Sequence, residues 1–188
     1  MVTVATEQQK RIHPHKFNLW VGIASMLMMF AGLTSAYIIK RNQPGWEGFE
    51  VPKIFWFSTA VILLSSVTMQ LAKNAFKANE RSKYRNFITA TFFLGVAFVV
   101  MQSAGFWQLW KSGLTLQKTV SLSFLYVIVG LHALHMLGGI IALLILFLKA
   151  FSSRVKTYNP VPVEVMATYW HFVDFLWLYL LFFLVVIK

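Results

Sequence analysis

Five stretches of this 188-residue chain lack Lys, Arg, Asp and Glu almost completely: Phe17 to Ile39, Ile54 to Ala72, Phe87 to Trp110, Thr119 to Leu148 and Val165 to Ile187. A helix rises about 1.5 Å per residue and the hydrocarbon core of a bilayer is about 30 Å thick, so roughly 20 apolar residues suffice to cross it. Each run meets or nearly meets that length. An isolated strand would leave its backbone polar groups unpaired in lipid, so all five are read as helices. The pattern predicts an all-α integral membrane bundle of five transmembrane helices, forming a single membrane domain over residues 1–188.

The segments between the runs carry turn and boundary chemistry. Residues 1–16 are polar, contain His13, Pro14 and His15, and are expected to lie along the interface. Pro44, Gly45, Gly48 and Pro52 break any helix between Lys40 and Lys53, and Asn159, Pro160 and Pro162 are expected to stop the fourth helix between Ser152 and Glu164. Trp20, Tyr37, Trp56, Trp107, Trp110, Tyr158 and Tyr169 fall near segment ends, where amphipathic rings anchor at headgroup level. Small residues at helical spacing, Gly22, Ser25 and Gly32 with Met29 in the first run and Gly130, Gly138, Gly139 and Ala142 in the fourth, predict close helix approach.

Composition agrees with a lipid environment: 58% of residues are hydrophobic and 12% charged. With no cysteine, disulfides, thiolate metal sites and thiol nucleophiles are excluded. The first run, 23 residues long, exceeds the roughly 7–15 residues of a signal-peptide apolar region and is read as a retained span. The net charge of +11 does not imply nucleic acid, because the basic residues sit in short inter-span segments and form no continuous face. Eleven of the 17 Lys and Arg fall in the N-terminal tail and in the second-to-third and fourth-to-fifth connections. The positive-inside rule then places the N-terminus inside and the C-terminus outside. Lys73, Lys77, Arg81, Lys83 and Arg85 would line the inner surface beside anionic headgroups.

Polar chemistry within the runs is sparse. The only formal charge is Asp174, which must face protein. His171 lies three residues before it, and Trp170 and Trp177 lie four before and three after, so one stripe carries a carboxyl, an imidazole and two indoles. In the fourth run His132, His135, Gly139 and Ala142 make a second stripe. Counting along the helices from the connection they share, His135 lies roughly 21 Å deep and Asp174 roughly 15 Å, so His135 with Asp174 is the expected pair. His132 and His171, roughly 25 and 10 Å deep, are too far apart to touch. The cluster reads as interhelical glue, with a proton relay or metal site as the functional alternatives. A bis-histidine haem needs imidazoles facing across a gap, whereas His132 and His135 leave one helix on one side. No catalytic, cofactor or metal site is assigned to the chain.

The run Tyr169, Trp170, His171, Phe172, Val173, Asp174, then Trp177, resembles the last-helix signature of subunit III of the haem-copper respiratory oxidases (cytochrome c oxidase). Gly130, Leu131, His132, Ala133, Leu134, His135 and Gly138 are similar to the two-histidine pattern of the preceding helix, and the spacing between the two motifs fits without gaps. Ser25, Phe30 and Gly32, then Ser65 and Ser66, then Gln102 extend the resemblance over nearly the whole chain, in the five-helix bacterial form. It implies a non-catalytic accessory subunit supporting assembly, lipid binding and proton uptake of the haem-bearing subunit I, with subunit II in the same complex. The reaction of that complex, oxygen reduction coupled to proton translocation, then uses haem and copper in partner subunits and none in this chain. The implied location is the bacterial cytoplasmic (inner) membrane, and Lys149 matches a basic position that meets lipid phosphate.

Two departures accompany the resemblance. Met26 stands where the family usually has a glutamate, and Gly105 where it often has another. Three alternatives stay open at this point: a quinol-oxidase subunit III, a divergent copy bridging to another respiratory complex, and an independent proton-coupled transporter using Asp174 and His135.

Overall fold

A computed structural model describes residues 14–41, 53–113, 120–152 and 160–187. Among these residues there are five helices: α1 (Pro14–Arg41), α2 (Ile54–Lys77), α3 (Arg81–Lys111), α4 (Val120–Phe151) and α5 (Val161–Val186). All are long and apolar enough to cross a membrane, and no strand occurs among the described residues. The turn residues Pro44, Gly45, Gly48, Pro52 and Asn159, the ring of Tyr158 and the tail residue His13 lie outside the described residues.

The helices outrun the apolar stretches, because backbone hydrogen bonding continues where side chains have already become polar. Pro14 and His15 are helical, in the first turn of α1, where a missing N–H costs nothing. The basic stretch after Ala72, expected as a loop, is almost wholly helical, leaving 78–80 to join α2 to α3. Asn79 takes a left-handed φ of 57° there. The Asn79 N–H reaches Phe76 O at 3.1 Å and the Glu80 N–H reaches Ala75 O at 3.0 Å, the paired bonds that close a helix C-terminus. Pro162 does not stop α4; it sits in the first turn of α5, which begins four residues before the apolar run. Arg85 of α3 meets α4, its Nε–H donating at 2.7 Å to Ala150 O in the last turn.

Helix α5 packs on α1, α2 and α4, while α3 packs on α2 and α4; α1 and α2 do not pack on each other. The inside of the bundle holds Trp170, Trp177, Tyr37, Phe30, Phe55 and Phe98, all fully buried. Phe57, Met28, Phe175 and Phe182 point outward, as lipid-facing side chains do. Of the expected interface anchors, Trp20, Trp56, Trp107 and Trp110 are exposed, but Tyr37 is core, its ring edge-on to Phe183 at 5.2 Å. At the ends of α1, α2 and α5, Glu164 pairs with Lys16 at 2.7 Å and with Lys77 at 3.0 Å. One carboxylate thereby ties three helices, two of which do not otherwise meet.

Of the glycines expected to permit close helix approach Gly139 does so, and Gly95, which was not among them, joins it. A Cβ at Gly22, Gly32, Gly130 or Gly138 would meet nothing within 4 Å. At Gly139 it would lie 2.9 Å from Tyr169 and 3.3 Å from Trp170, and at Gly95 2.9 Å from two carbons of the Trp170 ring. The indole of α5 is therefore keyed between bare backbone of α3 and α4.

Candidate functional site

The polar groups at bilayer depth gather where α5 meets α2. The Trp170 N–H donates to Ser65 Oγ at 3.0 Å and the Trp177 N–H to Thr59 Oγ1 at 2.9 Å. Ser65 Oγ in turn donates to Thr91 O of α3 at 3.4 Å, and the Thr91 and Thr68 hydroxyls bond at 2.8 Å. Nearby, Gln102 of α3 donates to Ser58 Oγ at 2.9 Å. The two indole N–H groups and the Gln102 amide thus find their acceptors on another helix, as lipid demands.

His171 also turns to α2. Its Nδ1 lies 2.6 Å from Ser66 Oγ and its Nε2 lies 3.3 Å from Gln70 Oε1. An amide oxygen only accepts, so Nε2 carries the hydrogen and Nδ1 accepts from the Ser66 hydroxyl. Asp174 is buried at 3% exposure, and neither carboxyl oxygen makes a hydrogen bond of good geometry. The Ser66 hydroxyl adjoins that carboxyl.

The expected pairing of His135 with Asp174 does not form. His135 Nδ1 bonds at 2.8 Å to Leu131 O of its own helix, and its ring meets Phe30 of α1 edge-on at 6.1 Å. Depth matched the two residues, but they face opposite sides of the α4–α5 contact. Tyr169 makes the connection instead, its hydroxyl donating to the His135 backbone oxygen at 2.8 Å. His132 is buried in an aromatic box, 5.3 Å from the Trp177 ring and 6.5 Å from Phe98, and neither ring nitrogen is hydrogen-bonded. The six polar and aromatic residues of the two stripes therefore form two groups, His171, Trp170, Trp177 and Asp174 against α2 and His132 and His135 among aromatic rings, which meet where His132 lies beside Trp177. Among the described residues no three or more His, Asp or Glu converge as a metal site requires.

The acceptors on α2 are what the sequence stripes omitted. Ser58 and Ser65, and Thr59 and Ser66, recur at a spacing of seven, two hydroxyl-bearing faces on an otherwise apolar helix. That repeat is the signal that finds them. The two departures also have places in the fold. Met26 is buried on α1. At Gly105 a side chain would collide with Phe55, and with Ile54 at 2.8 Å, so α2 occupies the space.

On the other side of α5 runs a groove of about 540 Å³ between α1, α4 and α5. Gly138, Ala142 and Ile145 line it, with Lys149, His15, Asn18 and Tyr169 as its polar groups. Gly138 and Ala142, expected at a helix contact, serve as its lining.

Residues 16–187 match the family described as Cytochrome c oxidase subunit III. The chain is 30% identical over 166 residues to "Cytochrome c oxidase subunit 3" of Corynebacterium diphtheriae, covering 84% of this chain and 80% of that one. It is 29% identical over 163 residues to "Probable cytochrome c oxidase subunit 3" of Nocardia farcinica, with the same coverage. It is also similar, at 26% over 167 residues, to "Cytochrome bo(3) ubiquinol oxidase subunit 3" of Pseudomonas aeruginosa, covering 86% and 79%. With its five spans, its polar side chains turned into the α2–α5 seam and this match over almost its full length, the chain belongs to the cytochrome c oxidase subunit III family.

Proposed function

We propose that this multi-pass membrane protein serves a proton-pumping haem-copper terminal oxidase of a bacterial cytoplasmic membrane, docking on the haem-bearing subunit I with subunit II in the same complex. Its N-terminus lies on the cytoplasmic side. The observation that carries the reading is how the hydrophilic side chains of α5 are used: the Trp170 and Trp177 indoles and the His171 imidazole are committed to interhelical bonds with Ser65, Thr59 and Gln70. Such a chain offers rigidity and surface, with electron transfer and oxygen chemistry performed by haem and copper in its partners. Cytochrome c is the electron donor in this reading. The similarity to a ubiquinol oxidase subunit supports quinol as the second reading.

The groove beside Lys149 fits a phospholipid, acyl chain against Gly138, Ala142 and Ile145 and phosphate at the ammonium.

Affinity purification from gently solubilised membranes, with mass spectrometry and absorbance spectra of the co-purifying proteins, tests the assignment. Larger haem-bearing subunits should accompany the chain, and turnover with reduced cytochrome c against quinol identifies the donor. Recovery of the chain alone and haem-free would overturn the assignment. The same spectra would reveal a second respiratory complex, and native mass spectrometry of Lys149→Ala should show loss of bound phospholipid.

A further inference from the structure

Asp174 is an ionisable group that the interhelical bonds leave unused. It lies ten residues into α5 from Glu164, about 15 Å along the axis and near mid-bilayer. A carboxylate there, with no cation against it among the described residues, is costly, so the site holds the uncharged acid, a proton donor. The groups beside it run in one direction. Ser66 donates to His171 Nδ1 across 2.6 Å, His171 Nε2–H donates to Gln70 Oε1 across 3.3 Å, and Gln70 Nε2–H donates to Asn74 Oδ1 across 3.5 Å. Ser66, Gln70 and Asn74 lie four apart on one face of α2, and exposure rises along them from half-buried Ser66 to exposed Gln70 and Asn74.

We propose that Asp174, Ser66 and His171 form a proton relay that exchanges one proton between mid-bilayer and the end of the bundle holding the α2–α3 connection, with Gln70 and Asn74 as its wet terminus.

The downstream links are made in the structure, and rotation of the Asp174 carboxyl onto Ser66 Oγ completes the first. In release, the Asp174 O–H bond breaks as one forms at Ser66 Oγ, and the serine's own proton passes to His171 Nδ1. Serine is unchanged, the acid has become carboxylate and the imidazole imidazolium. The Nε2 proton then leaves to water at the Gln70 end. Uptake returns through a turned ring: water protonates Nε2, and the imidazolium turns over so that this nitrogen faces Ser66. Ser66 takes its proton while returning its own to the carboxylate, so that water protons reach Asp174 over successive cycles. Lys73 on α2 is the cation that acts on His171. From α4, His132 and His135 face Trp177 and Phe30 and take no part. From α1, His15 and Lys16 sit at the groove and at Glu164.

Infrared spectroscopy of the purified complex in lipid nanodiscs, switched from H2O to D2O, reads the relay directly. One protonated-carboxyl C=O band should vanish in Asp174→Asn, and in the wild type that band should shift promptly as O–H becomes O–D. Ser66→Ala should slow the shift by about a hundredfold, the scale of a lost proton-transfer partner, and Ser66→Thr should restore it. His171→Gln keeps hydrogen-bonding partners for Ser66 and Gln70 but cannot take up a proton. It should slow the exchange as well, and it supplies the deciding rate if Ser66→Ala fails to assemble. An unchanged rate in these variants, or no band lost in Asp174→Asn, overturns the relay.

Discussion

Placing a methyl group on each side of the Trp170 ring should cost more than the two methyls cost separately. A Cβ at residue 95 would stand 2.9 Å from Trp170 Cη2 and Cζ2, where ordinary contact starts at 3.4 Å, so the ring must yield by about half an ångström. It can yield because Gly139 leaves clearance on the adjoining edge. A Cβ at 139 would already lie 3.3 Å from Cζ3, so a displaced ring would then overlap it. The N–H bond to Ser65 at 3.0 Å resists movement the other way. Overpacking a rigid site costs about 1–3 kcal/mol, so Gly95→Ala and Gly139→Ala should each destabilise by about 1–2 kcal/mol. The double variant should add a coupling of about 1 kcal/mol or more. Unfolding in mixed micelles by increasing SDS fraction, followed by circular dichroism, measures all four corners of the cycle. Additivity to within about 0.5 kcal/mol would show that the ring is not wedged between the two helices.

Further substitutions probe four separate contacts. Thr59→Val strands the buried Trp177 N–H and should cost about 1–2 kcal/mol in the same titration, whereas Thr59→Ser should be nearly neutral. Tyr179→Phe removes the 2.9 Å bond to Thr34, whose hydroxyl keeps Phe30 O as a partner, so a loss of only about 0.6 kcal/mol is expected. Gly105→Glu should reduce the yield of assembled protein by colliding with Phe55 and Ile54; a companion Phe55→Ala should recover part of it. Glu164→Gln should lower stability by about 1 kcal/mol or less, an effect that fades with added salt because both lysines are well exposed.

The five spans were legible because hydrocarbon thickness imposes a length and excludes charge, and those two constraints act on composition alone. Helix ends were less so: the stretch from Lys73 to Lys77 reads as loop by hydropathy, yet its backbone continues the helix into the polar zone. Asp174 was legible as an inward-facing group, since lipid does not tolerate a carboxylate, and the two indoles share its helical face. Which neighbour they face was not, because counting along a helix gives depth and says nothing of rotation about the axis. His135 and Asp174 matched in depth and point apart. Trp170 and Trp177 find Ser65 and Thr59, residues whose hydroxyls show their purpose only beside the opposing indoles. Tyr37 failed as an anchor for a related reason: position near a span's end does not tell a headgroup ring from one tucked against Phe183.

The short link through Asn79 has a bearing on biogenesis. With three residues between them, α2 and α3 pair as soon as both have left the ribosome, and the Thr68–Thr91 and Ser65–Thr91 bonds form within that hairpin. Ser65 and Thr59 are then in place on a finished partner well before the last helix is synthesised. The fifth helix arrives to a receptor already built, and its two indoles fix its rotation at once.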